Sequence, residues 1–80
     1  MTNLEKYSST YKKVFELDDS IDVTTLTFQG IPLWDSIGHM NLIASLEEAF
    51  NVQFEIDDII DLSSYEKGKE ILTKLGVDFN

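Results

Sequence analysis

The most regular part of the chain is DSIGHMNLIASLEEAFN, residues 35–51. Asp35 is of a residue type that caps helix N-termini, and Asn51 tolerates the left-handed conformation that closes a helix. At about 100° per residue, one face of a helix between them carries the apolar side chains Leu42, Ile43, Leu46, Ala49 and Phe50. The stretch therefore predicts a helix from Ser36 to Phe50 whose apolar face packs into a core.

Capping-box patterns predict the start of one helix on each side of this stretch. Residues 2–5 (TNLE) open a first helix that ends around residues 17–19 and carries an apolar stripe of Leu4, Tyr7, Tyr11, Val14 and Phe15. Residues 63–66 (SSYE) open a last helix that stops at Gly76, where Val77 can fold back over the helix end. Three longer helices are therefore expected.

Between the longer helices, the sequence predicts one short helix and one long loop. Residues 56–62 suggest a short third helix with its acids, Asp57, Asp58 and Asp61, turned outward. Residues 18–34 have no helical period and contain turn-forming residues, so they predict a loop. Its apolar side chains should pack over the helices: Val23, Leu26, Phe28, Ile31, Leu33 and Trp34. A strand at residues 25–28 is possible but would lack a partner.

These elements predict an all-α fold, a small four-helix bundle forming one domain over residues 1–80. A chain of 9.1 kDa without cysteine has one compact core and no disulfides. It contains no run of roughly 18 apolar residues that could span a membrane, and residues 1–13 lack the apolar region of a signal peptide. We therefore expect a cytoplasmic monomer.

The charge of the chain is unevenly distributed. The formal net charge is −9, and all six lysines lie toward the two ends. Residues 14–66 hold twelve carboxylates and no Lys or Arg. Such a field repels nucleic acid and favours a basic protein surface as partner. The alternative is that the charge only keeps a small protein in solution.

Some residue types in the chain suggest catalysis or metal binding, but their spacing in the sequence does not fit such a site. Asp35, Ser36 and His39 are the residue types of a catalytic triad, but they lie on one helical turn, where the base cannot sit between nucleophile and acid. His39 is expected to be partly buried and hydrogen-bonded instead. Residues 18–22 (DDSID) resemble the start of a calcium loop, yet Val23 and Gln29 stand where the motif needs a turn-forming Gly and a ligating Glu. We therefore expect no unaided catalysis.

Ser36 lies in the first turn of the predicted helix. Backbone N–H groups there lack partners, so a phosphate on this oxygen would be stabilised by about 0.3 to 1 kcal/mol. Gly38 is expected to leave this helix end uncrowded. The alternative is that Ser36 only caps the helix.

The order of these features resembles an acyl carrier protein. The resemblance rests on Asp35-Ser36-Ile37 at mid-sequence, a helix ending in LEEAF at residues 46–50, Asn51-Val52 and a short acidic stretch, and it covers nearly the whole chain. It implies that a separate magnesium-using transferase attaches 4′-phosphopantetheine from coenzyme A to Ser36. The terminal thiol would carry acyl groups as thioesters between biosynthetic enzymes. Asp35 would cap the helix and help the transferase engage.

The resemblance also implies a docking surface around Ser36. We expect basic patches of acyl-activating, acyltransferase or synthase enzymes to meet apolar contacts rimmed by acid, formed by Ile37, Met40, Ala44, Glu47, Glu48, Asp57 and Asp58. In this family the acyl chain can also enter the bundle between the second and third helices. The side chains expected to line that space are Met40, Ile43, Phe54, Ile59 and Ile60.

The chain departs from housekeeping fatty-acid carriers beside the serine. Gly38, His39 and Asn41 stand where those carriers usually place acids, and Trp34 before the motif is unusual for them. These differences resemble carriers of specialised pathways, such as polyketide-like or modified-sugar synthesis. Two alternatives stay open, an aminoacyl carrier, for example of D-alanine, and an acidic helical interaction module that is never modified.

Overall fold

A computed structural model describes residues 2–79 of the chain. Its helices are α1 (Asn3–Val14), α2 (Ser36–Phe50), α3 (Ile56–Asp61) and α4 (Tyr65–Lys74), with a 3₁₀ turn at Val23–Thr25. This all-α arrangement confirms the predicted fold class of three longer helices and a short third. Within the described part of the chain no strand forms, and the only strand-like feature is an isolated bridge between Thr27 and Ser64.

α1 begins as predicted but ends earlier. The Thr2 hydroxyl accepts the Glu5 N–H at 3.1 Å, and the Glu5 carboxylate accepts the Thr2 N–H at 3.0 Å, which completes the capping box. Regular helix stops at Val14 because the next turn is left-handed. Glu16 takes a φ of 54°, which lets the Leu17 N–H reach back 2.9 Å to the Lys12 carbonyl.

α4 starts one residue later than its sequence pattern predicts. The cap is Ser64, whose hydroxyl accepts the Lys67 N–H at 3.0 Å, and not Ser63. The Ser63 carbonyl instead accepts the Phe28 N–H from the loop at 2.8 Å. Backbone pairing with the loop thus keeps residue 63 out of the helix.

The end of α4 follows the prediction. Gly76 takes a φ of 102°, a conformation that favours glycine. The Val77 N–H then donates to the Leu72 carbonyl at 2.9 Å, and the Gly76 N–H donates to the Thr73 carbonyl at 3.1 Å. These two bonds form a Schellman ending, which brings Val77 back onto the core.

The centre of the bundle is aromatic. The fully enclosed rings are Tyr7, Tyr11, Phe15, Trp34 and Tyr65. The Tyr7 hydroxyl donates to the Tyr65 carbonyl at 2.6 Å, and its oxygen lies 2.7 Å from the Tyr11 hydroxyl, which donates to it. Burial raises the pKa of both phenols above the ordinary range. The network therefore joins α1 to the start of α4 through neutral groups.

The long loop packs over the helices, with one exception. Val23, Leu26 and Trp34 are buried, and Phe28 and Ile31 pack against the core. Leu33, predicted to pack as well, is 46% exposed. It is turned outward because its neighbour Trp34 takes the inward position. Among residues 2–79, no helix is long and apolar enough to cross a membrane.

Candidate functional site

The Ser36 hydroxyl is exposed at the first position of α2. The preceding Asp35 is the cap, as predicted, and its carboxylate accepts the Gly38 N–H at 2.8 Å. Since Asp35 performs the capping, Ser36 is not needed for it. Its hydroxyl makes no hydrogen bond to any other residue between 2 and 79. The site therefore presents a free hydroxyl at the positive end of a 15-residue helix.

The helix start is crowded on its inner side, contrary to the prediction for Gly38. This glycine is buried, and a Cβ there would lie 1.8 Å from the Leu33 carbonyl oxygen and 3.2 Å from the Phe15 ring. The loop backbone thus crosses directly over α2 at this point. The close approach fixes the turn that leads into Ser36.

His39 is partly buried and hydrogen-bonded, as predicted. The Trp34 indole N–H donates to His39 Nδ1 at 3.0 Å, and His39 Nε2 lies 2.8 Å from the Ile59 carbonyl oxygen. An indole N–H can only donate, so Nδ1 accepts and Nε2 carries the proton. Both ring nitrogens are occupied, and neither is directed to Ser36. This arrangement does not provide a base for Ser36.

Large apolar side chains are exposed on the helix that carries Ser36 and on α3. On α2, Ile37 is 76% exposed and Met40 is 52% exposed. On α3, Ile56 is 76% exposed and Ile60 is 73% exposed. We call these four residues the exposed apolar surface. Isolated exposed apolar residues are common, but four large ones on two neighbouring helices indicate a contact surface.

Asp58 does not belong to this surface, and its prediction as an outward, partner-binding acid is wrong. Its carboxylate is 2% exposed, accepts the Glu55 N–H at 3.2 Å and forms an ion pair with Lys74 of α4. Glu55 and Asp58 form the capping box of α3. This inward role turns Ile56 and Ile60 to the outside, which the sequence prediction missed. The Glu55–Asp58 spacing was the one local signal for it.

The remaining predicted partner residues differ in exposure. Ala44, Glu48 and Asp57 are exposed. Glu47 is only half-exposed, and its carboxylate accepts the Phe54 N–H at 2.9 Å. Glu47 therefore organises the turn between α2 and α3. Asp57 adds an exposed carboxylate on α3 beside Ile56 in the sequence, whereas Glu48 borders a pocket that it shares with Lys13 of α1.

We expect the Asp58–Lys74 pair to make stability depend on acid. The hydrogen bond from Lys74 lowers the pKa of Asp58, although burial opposes it. In the unfolded chain an aspartate has a pKa of about 3.9. The pair therefore stabilises the fold fully above that pH and loses its contribution as the pH falls through the lower, folded-state pKa.

Urea unfolding of wild type and Asp58→Asn from pH 7 to pH 2 measures this effect. The variant should be less stable at pH 7, and the difference should shrink as the pH falls. Asp57→Asn, at an exposed neighbour, is the matched control and should give no such trend. A difference between wild type and Asp58→Asn that stays constant down to pH 2 would contradict the assignment.

A cavity of about 260 Å³ lies between the loop, α2 and α3. Its lining is Phe28, His39, Ile59, Ile60, Leu62 and Ser63. Of the side chains expected to line a space at α3, only Ile59 and Ile60 do so. Ile43 and Phe54 are buried in the core, and Met40 points to the surface. The cavity therefore lies on the loop side of α3.

The described residues suit covalent attachment of a group at Ser36 and contact with another protein. They present one free hydroxyl, an exposed apolar surface with acidic neighbours, and a small apolar cavity. Comparisons with protein-family models, curated proteins and solved structures give no significant match to the chain. A proposal about function therefore depends on these residues and on the motif that contains them.

Proposed function

We propose that this chain is an acyl carrier protein that bears 4′-phosphopantetheine on Ser36. One observation carries the proposal. The serine of an Asp-Ser-Ile motif has an exposed hydroxyl without a hydrogen-bond partner at the first position of a long helix. A serine kept only to cap the helix would be hydrogen-bonded to the backbone, and here Asp35 does that.

Attachment of phosphopantetheine requires only a nucleophilic hydroxyl from the carrier. The Ser36 oxygen attacks the β-phosphorus of coenzyme A, a new P–O bond forms, and the bond to adenosine 3′,5′-bisphosphate breaks. The serine proton passes to a base of the transferase, whose magnesium ion holds the phosphates. At the helix N-terminus the resulting phosphodiester is stabilised by about 0.3 to 1 kcal/mol. The attached arm would supply the thiol that holds acyl groups as thioesters.

The surroundings of Ser36 suit transient docking of basic enzymes. Ile37 and Met40 supply apolar contacts one turn apart on α2, and Asp57 supplies an exposed carboxylate on α3. The lysines lie at residues 6–13 and 67–74, away from this part of the sequence. Complementary charge of this kind raises association rates and is screened by salt. A shuttle needs such fast and reversible contacts.

The cargo belongs to a specialised pathway in this proposal. Trp34 and His39, which depart from housekeeping carriers, bind each other and so form a structural unit of this chain. A carrier of aminoacyl groups shares Ser36 and differs only in cargo, so loading by an adenylating enzyme distinguishes the two. The alternative of another class is an interaction module that is never modified.

Intact mass tests the proposal directly. After incubation with coenzyme A, magnesium and a promiscuous phosphopantetheinyl transferase, the wild-type mass should rise by one phosphopantetheinyl group. Ser36→Ala should remain unshifted, because it removes the attacking oxygen. Ser9→Ala, which removes an exposed hydroxyl on α1, is the matched control and should shift like wild type. An unshifted wild type would reject the carrier function and favour the interaction module.

A further inference from the structure

Two hydrogen bonds in series connect the loop, α2 and α3. Trp34 donates to His39 Nδ1 at 3.0 Å, and His39 Nε2 donates to the Ile59 carbonyl at 2.8 Å. The rings of Trp34 and His39 are nearly parallel, with an interplanar angle of 17° and centroids 6.4 Å apart. Phe28 packs edge-on against His39, with ring centroids 5.2 Å apart. We call this series the Trp34–His39–Ile59 link.

The loop end of the link is firmly held. Trp34 is fully buried, and its ring stacks on Phe15 at a centroid distance of 5.3 Å. Its backbone is fixed as well, because its N–H donates to the Ile31 carbonyl at 3.1 Å and its carbonyl accepts the Gln29 N–H at 2.9 Å. The indole therefore orients His39 from a rigid position.

The α3 end of the link lies in a short helix that has two of its isoleucines turned to solvent. α3 has six residues, far fewer than an isolated helix needs for stability in water. Ile56 and Ile60 face outward, and Ile59 is only half-buried. Asp58 ties the first half of the helix to α4 through Lys74. The His39 bond is the corresponding polar tie for the second half.

The link also borders the cavity. His39 and Ile59, which it joins, are both part of the cavity lining. Ile60, the next residue, lines the cavity and is at the same time 73% exposed. Movement of this half of α3 away from α2 would therefore widen the cavity toward solvent.

We propose that His39 is a positioning residue that holds α3 closed over the cavity. The neutral imidazole protonated at Nε2 is the form that makes both bonds. Loss of its bond to Ile59 leaves a carbonyl of α3 without its partner and lets the second half of the helix open locally, while α1 and α4 stay folded. The proposal concerns the unmodified chain and does not depend on a group at Ser36.

Amide hydrogen exchange on the full chain, followed by NMR, tests this role. His39→Leu removes both hydrogen bonds and keeps an apolar side chain. Exchange at the Ile59, Ile60 and Leu62 amides should become about tenfold faster, the size expected for loss of one buried hydrogen bond. Amides in the middle of α1 and α4 should keep their wild-type rates.

Two further variants separate positioning from simple packing. His39→Gln has an amide that can donate to the Ile59 carbonyl, and it should restore most of the protection in α3. Ser63→Ala changes the cavity lining outside the link and should leave exchange in α3 unchanged. Equal acceleration in all helices, or unchanged rates in α3, would overturn the proposal.

If His39→Leu does not fold, the tautomer of His39 in the wild-type protein tests the proposal independently. Long-range ¹H–¹⁵N correlation of the His39 ring at neutral pH should show a proton on Nε2 and a bare Nδ1 that accepts a hydrogen bond. The opposite tautomer would break both bonds of the link and would overturn the proposal on its own.

Discussion

Replacing Gly68 by alanine is expected to lower the free energy of unfolding by about 2 to 4 kcal/mol. A Cβ at this position of α4 would lie 2.1 Å from the Tyr7 hydroxyl, 2.8 Å from Leu62 Cδ1 and 3.0 Å from the Tyr11 hydroxyl. Tyr7 cannot yield easily, because its ring is fully buried and its hydroxyl is bonded to Tyr65 and Tyr11. This loss outweighs the gain in helix propensity, which is about 1 kcal/mol.

Urea unfolding of four proteins measures the clash at Gly68. They are wild type, Gly68→Ala, Tyr7→Phe and the double variant. Tyr7→Phe alone should destabilise the chain, since it removes the hydrogen bonds that join the Tyr7 hydroxyl to the Tyr65 carbonyl and to the buried Tyr11 hydroxyl. Because it also removes the clashing oxygen, Gly68→Ala should cost less in the Tyr7→Phe background. Strictly additive losses would show that the added methyl group does not meet the Tyr7 hydroxyl.

The helix that carries Ser36 could be predicted from sequence because its determinants are local. Asp35 and Asn51 define its ends by cap chemistry, and the structure places both as predicted. The same holds for the start of α1 at Thr2 and for the stop of α4 at Gly76. Caps and left-handed residues act through neighbours within a few positions, which a single sequence displays.

The parts that could not be predicted depend on partners far away in the chain. Asp58 is expected outside by its charge. The Glu55 N–H and the ammonium group of Lys74, sixteen residues on, together offset the cost of burying it. The cap of α4 is Ser64 and not Ser63, because the Ser63 carbonyl accepts a hydrogen bond from the Phe28 N–H of the loop. Once Asp58 faces inward, the outward position of Ile60 follows from helix geometry.

In the candidate site, too, features set by local sequence could be predicted and features set by distant partners could not. The exposure of Ser36 follows from its place in the first turn, so the sequence could identify it. The role of Glu47 could not be identified in this way. Its carboxylate was expected on the docking face, but it accepts a hydrogen bond from the Phe54 N–H. The link between Trp34 and His39 was predicted only as a hydrogen-bonded histidine, with no partner named. Its acceptor on α3 depends on how two helices meet, which periodicity does not specify.

Replacing Gly38 by alanine is expected to destabilise the chain more than the same change at Gly68. The new Cβ would lie 1.8 Å from the Leu33 carbonyl oxygen and 3.0 Å from its carbon. This obstacle is backbone and cannot rotate away as a side chain could. The loop must lift from α2, and Leu33 is directly joined to the buried Trp34. We expect a loss of about 3 kcal/mol or more in the free energy of unfolding, together with fraying at Ser36.

Urea unfolding and the mass assay together test this second expectation. Gly38→Ala should unfold at lower urea than wild type and, in the proposed function, accept phosphopantetheine more slowly because the turn before Ser36 is displaced. Asn41→Ala adds a good helix former to an exposed position of the same helix and is the matched control; it should change stability by less than about 0.7 kcal/mol. An ordinary helix glycine would gain about 1 kcal/mol on becoming alanine. A gain of that size at Gly38 would therefore mean that the loop does not cross α2 as described, and the rigid setting inferred for Ser36 would be lost with it.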